Sequence, residues 1–155
     1  MTSKAEFNAE EWEQVVEGPA LAGLIVIAAQ RGGTIRETMK MAKAYTQARE
    51  EHGDSDLLGE IVSTPPKLQS KKFESAEALR NEGLERVREA AALVGSKADA
   101  GELDTYKRFI ITVAEKAAEA TKSGDFLGIG GELVSEKESE VLDAIAETLG
   151  VPRSA

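Results

Sequence analysis

Not one of the 155 residues is cysteine, which excludes disulfides, zinc–thiolate and iron–sulfur centres and any thiol nucleophile. Only one histidine is present, His52. Multi-histidine metal sites are therefore out, and no serine nucleophile motif accompanies His52 to suggest a catalytic triad. Aromatic residues make up 5% of the chain, so the core has to be built from Ala, Leu, Ile and Val, a composition that suits close-packed helices. Basic residues are outnumbered, 19 against 28 acidic ones, for a formal net charge of −9. Bulk charge of that sign opposes non-specific nucleic-acid binding.

Long hydrophobic runs are also scarce. Met1–Phe7 lacks the basic head and apolar stretch of a signal peptide. The longest apolar run, PALAGLIVIAA at 19–29, would rise about 16 Å as a helix, roughly half a bilayer core. The expectation is a cytoplasmic protein with no integral membrane segment, in which this run is a helix buried on every side.

What remains is helical patterning. Asn8 can cap a short first helix carrying Trp12, Val15 and Val16, and Gly18-Pro19 is expected to break it. A second helix over about 19–31 ends at Gly32-Gly33. Thr34 and Glu37 have the spacing of a capping box and open a third helix to about 51, with Ile35, Met39, Ala42 and Tyr45 at helical spacing. His52 falls at its C-terminal end, where a positive charge suits the helix dipole. A short helix follows at about 55–62. Residues 63–74, with Pro65-Pro66, read as an internal loop.

Ser75 caps a fifth helix to about 94, and Asp99 a sixth over about 100–122, whose stripe is Tyr106, Phe109, Ile110, Val113, Ala117 and Ala120. Small residues at Ala114, Ala117 and Ala118 would let another helix approach. A glycine-rich loop at 123–134 (SGDFLGIGGELV) leads to Ser135 and Glu138, a second capping box, and a last helix at about 136–149 stopped by Gly150. No segment alternates with a period of two. The expected fold is all-α: one domain, 1–155, of about seven helices.

Two chemical motifs fall short. The glycine-rich loop follows a helix rather than a strand, lacks the Gly-Lys-Ser/Thr ending of a phosphate loop, and carries Asp125 and Glu132, which would repel phosphate. The stretch Asp54–Ile61 begins like a calcium loop but has Leu58 and Pro65 where ligands are needed.

The most informative pattern is a duplication. In each half, an apolar helix ends in a glycine-containing loop and an S/T-x-x-E box starts the next helix: Thr34–Glu37 in one copy, Ser135–Glu138 in the other. This implies two helix–loop–helix units packed with pseudo-twofold symmetry. Such packing could gather Glu37, Asp125, Glu132 and Glu138 as oxygen ligands for a divalent cation, although the glutamates would serve equally as helix caps.

The paired units at roughly 20–50 and 106–151 resemble the tellurite-resistance B-like (TerB-like) family, small acidic all-helical proteins linked to stress response. The second stretch, FIITVAEKAAEATKSGDFLGIGGELVSEKESEVLDAIAETLG, is the more similar. The resemblance implies an acidic metal-binding surface, with Glu37 and Glu138 on the acidic residue of the second helix of each repeat. The family's loop aspartate is replaced by Gln30-Arg31-Gly32 in the first repeat and is order-reversed as Gly124-Asp125 in the second.

The functional expectation is a non-enzymatic helical binding module with an unidentified protein partner, a homodimer also being open, tuned by a weak divalent-cation site and needing no other cofactor. An acidic interaction protein or nucleic-acid mimic without metal is the alternative. A carboxylate-based enzyme is a poorer fit, because the Glu-x-x-His motifs of di-metal bundles are missing from the chain.

Overall fold

The computed structural model describes residues 4–28, 34–52, 57–63, 75–124 and 136–151, of which positions 4, 34–38, 40–41, 52, 76, 119–124 and 136–138 are described by their backbone alone. Within these residues the chain forms a short 3-10 turn at Lys4–Glu6 and six α-helices: α1 (Ala9–Ala28), α2 (Thr34–His52), α3 (Leu57–Val62), α4 (Ala76–Lys97), α5 (Ala100–Gly124) and α6 (Glu136–Leu149). No strand occurs among the described residues. The all-helical expectation holds.

Seven helices become six because the expected break at Gly18-Pro19 does not occur, and α1 runs through it for 20 residues. A proline inside a helix removes the N–H that would bond the carbonyl four residues back, at a cost of about 3 kcal/mol or more. Here that carbonyl belongs to Val15, and it accepts a 2.6 Å hydrogen bond from the Tyr106 hydroxyl of α5. The missing backbone donor is thus replaced by a side chain 91 residues away. Gly18 makes room for it: a Cβ there would lie 2.5 Å from the Tyr106 oxygen.

Every residue of α1 from Gly18 to Ile27 is buried, as expected for a helix surrounded by others. It lies chiefly against α4 and α5, while α2 lies chiefly against α5. The pairs adjacent in sequence, α1 with α2 and α5 with α6, touch much less, so the main packing joins helices from different halves of the chain. The core lines of α3 (Leu57, Leu58, Ile61, Val62), α5 (Tyr106, Phe109, Ile110, Val113, Ala117) and α6 (Val141, Leu142, Ile145, Leu149) are buried as their periodicity implies. Ala114, Ala117 and Ala118 are almost wholly buried too.

The stripe of α2 is turned from its expected phase. Ala44, Tyr45 and Ala48 are buried, whereas Met39 is 59% exposed and Ala42 also faces solvent. Met39 and Ala42 are apolar enough to join a stripe by count, but the face of α2 set against α5 is the one carrying Tyr45.

Local signals at the helix ends are clearer. Asn8 and Glu11 form a complete reciprocal box at the start of α1: the Glu11 amide donates to the Asn8 side chain and the Asn8 amide to the Glu11 carboxylate, both at 2.9 Å. Ser75 accepts from the Ala78 amide and Asp99 from the Glu102 amide. Helix α4 runs a turn beyond its expected end, to Lys97. Lys97 donates to the Glu6 carbonyl at 2.9 Å, lies 3.8 Å from Glu11 and sits over the Phe7 ring, tying the N-terminal turn to α4. Gly150 follows α6 with a φ of 69°, the left-handed stop expected of it. The expected loops at 63–74 and 123–134 lie mostly outside the described residues, but Ser123 and Gly124 are the last residues of α5.

Candidate functional site

Of the four carboxylates in the expected cation site, Glu37 falls in the first turn of α2 and Glu138 in the first turn of α6, with side chains outside the description. Asp125 and Glu132 lie outside the described residues altogether. So does the side chain of His52, which is the last residue of α2. Among the described residues, no three carboxylate or imidazole side chains gather as a metal site would require. Nor is any helix among them long and apolar enough to cross a membrane.

Two clefts among the described residues lie elsewhere, along α5. One cleft of about 340 Å³ opens between α3 and the start of α5, lined by Leu57, Leu58, Ile61, Asp99, Glu102 and Tyr106, among others. A second, of about 400 Å³, opens between α2 and the middle of α5 and includes Ala44, Ala48, Glu51, Arg108, Phe109 and Lys116. Leu58 and Thr105 are in the walls of both. The two clefts are thus neighbours along α5, meeting at Leu58 and Thr105, and both open to solvent.

Their floor is set by helix periodicity. Phe109 is buried and held by Tyr45 in an edge-on ring contact, 5.1 Å between centroids at 72°. Leu57, Leu58, Ile61, Ala44 and Ala48 complete an apolar base. Arg49 fixes α3 in place by donating from its guanidinium to the carbonyl of Val62, at the end of that helix.

The rim comes from the solvent face of α5. Arg108, Thr112 and Lys116 recur every four residues, one above the next. Arg108 pairs with Asp104 at 2.7 Å, but the two side chains are 73% and 50% exposed. A pair so open to water contributes under about 1 kcal/mol, so an incoming carboxylate could displace it cheaply. Thr105 and Thr112 donate their hydroxyl protons to the carbonyls of Gly101 and Arg108, each at 2.9 Å. What they offer a visitor is methyl and acceptor surface.

Two tyrosines lie behind the floor. Tyr106 is wholly buried and bonded to Val15, and burial first, then the neighbouring Tyr45, pushes its hydroxyl pKa well above the ordinary value. Tyr45 is shifted the same way by burial, and its hydroxyl has no hydrogen-bond partner among the described residues. Neither is a reactive group at neutral pH.

The i, i+4, i+8 spacing of Arg108, Thr112 and Lys116 is a sequence signal for this rim, on the polar face opposite the apolar stripe of α5. The contribution of Leu58 and Ala48 could come only from tertiary packing. No protein-family model, curated protein or solved structure matches this chain.

Proposed function

We propose that this chain is a non-enzymatic helical module that binds a protein segment along α5. The observation that supports the reading is the pair of adjoining clefts, whose trough has an apolar floor of Leu57, Leu58 and Ile61 in one and Leu58 and Phe109 in the other, beneath a rim of exposed and half-exposed polar side chains. An apolar floor supplies affinity and a charged rim supplies register, which is how grooves accept amphipathic helices. Nothing in the rim needs to titrate for this to work.

The experiment is to block the trough where its two halves meet. Thr105→Trp places an indole in the shared wall, and Gln47→Trp places one in the wall of the second cleft from the exposed side of α2. Both variants should keep the melting temperature within a few degrees and lose binding to any partner isolated with the unmodified chain. Retained binding in both folded variants would place the partner surface elsewhere.

The TerB-like resemblance, with its pseudo-twofold repeat and stress-response role, belongs to this proposal on the strength of the sequence pattern. So does a weak divalent-cation site at Glu37, Asp125, Glu132 and Glu138. Thermal melts in millimolar calcium, magnesium, manganese and zinc read it directly, since a ion held by the native state must raise the midpoint. No rise with any of the four would remove the cation from the proposal and leave the trough untouched.

A further inference from the structure

Helix α1 changes character at Gly18-Pro19. From Gly18 to Ile27 every residue is buried, whereas among residues 5–17 only Phe7 and Val15 are. The same junction is where the helix lacks one of its own bonds. Pro19 has no N–H to give the Val15 carbonyl, and the Tyr106 hydroxyl of α5 supplies the donor at 2.6 Å. The stretch before the junction is held to α4 through side chains partly open to water. Glu17 pairs with Arg86 at 3.0 Å and Glu11 with Lys97 at 3.8 Å. Lys97 also donates to the Glu6 carbonyl and sits over the Phe7 ring. Ion pairs of that exposure hold weakly.

We propose that residues 4–17 form an arm that opens and closes as a unit, hinged at Gly18-Pro19 and latched by the Tyr106 hydroxyl, while the rest of α1 stays in the core. A segment with few buried apolar groups and solvent-facing backbone bonds opens at a lower free energy than the whole molecule. Here the boundary between the two regimes falls inside one helix, at the rung of its hydrogen-bond ladder that another helix supplies. Tyr106 also lines the first cleft, so the latch of the arm and a wall of that cleft are the same side chain.

Hydrogen exchange of the full isotope-labelled chain, under conditions where closing outruns exchange, reads the arm amide by amide. Amides 12–17 should share one protection factor, at least tenfold below that of amides 23–27, and should depend less steeply on low urea. Tyr106→Phe removes the latch and should lower protection at 12–17 several-fold or more. Val26, fully buried beyond the hinge, separates the two openings. Val26→Ala should lower protection at 23–27 tenfold or more and leave 12–17 within twofold of the unmodified chain, because Val26 stays packed when the arm opens. Ile25→Val, a milder cut at a buried neighbour, should separate them likewise with a smaller loss. One protection factor and one urea slope along 12–27, or equal losses in both stretches with these two variants, would show α1 opening as a single element and overturn the hinge. A gradual rise in protection from 12 to 27 would assign the difference to fraying from the helix start, and would overturn it too. Protection at 12–17 unmoved by Tyr106→Phe would overturn the latch.

Discussion

At Pro19 the backbone lacks a donor, and the Tyr106 hydroxyl bonds the Val15 carbonyl that Pro19 would have served. Removing the hydroxyl in Tyr106→Phe strands that carbonyl in the core, which should cost about 1–3 kcal/mol, read by urea denaturation. Pro19→Ala returns an N–H to the same carbonyl. The double variant should therefore be more stable than the sum of the two single changes, and simple additivity would show that the Val15 carbonyl is not shared between them. Tyr45 poses the opposite case. Its buried hydroxyl has no partner among the described residues, so Tyr45→Phe should be neutral or raise stability by up to about 1 kcal/mol. Both tyrosines are shifted upward by burial, which fixes the pH dependence. Below the unfolded value near 10 both states hold the proton and these groups contribute no slope. Above it the unfolded chain loses its protons first, so stability should fall as pH rises. Tyr45→Phe should make that alkaline decline shallower by one proton in an equilibrium melt series between pH 9 and 11.

Helix α1 packs against both α4 and α5, and Gly18 is where the Tyr106 side chain of α5 meets it. A methyl group at Gly18 would meet the Tyr106 oxygen at 2.5 Å. Gly18→Ala should thus lower stability by about 1–3 kcal/mol through overpacking, and Gly18→Ala/Tyr106→Phe should recover part of the loss because the clashing atom is gone. The start of the same helix tests local rather than tertiary structure: Asn8→Ala removes one arm of the box with Glu11 and should cost about 1 kcal/mol. Much of this level was legible in the sequence. The apolar lines of α3, α5 and α6, the caps at Asn8, Ser75 and Asp99, and the stop at Gly150 are local patterns, and local patterns decide helix ends. The uninterrupted course of α1 was not legible, because it depends on a donor from Tyr106, far along the chain. The phase of α2 was hidden for a similar reason. Ile35, Met39 and Ala42 satisfy a helical stripe, and only packing against α5 selects the face of Ala44, Tyr45 and Ala48. The candidate site suffered most, since the trough is assembled from the polar face of one helix and the apolar faces of two others.

At the scale of the molecule, α5 has two different sides. One is sealed against α1, with Tyr106 reaching into it, and the other presents the trough that α5 forms with α3 and α2. The floor of the trough and the core share Phe109, held edge-on by Tyr45, so filling the clefts should stiffen α5, which also packs on α1. A bound segment should accordingly raise the melting temperature in proportion to the logarithm of its concentration above its dissociation constant. The most direct measurement is amide chemical-shift mapping of the isotope-labelled chain with the binding segment of a partner isolated on the unmodified chain. The expected perturbations lie at residues 44–51, 57–61 and 99–116, with α4 and α6 little changed. Shifts centred on α4 or α6, with α5 silent, would contradict the account.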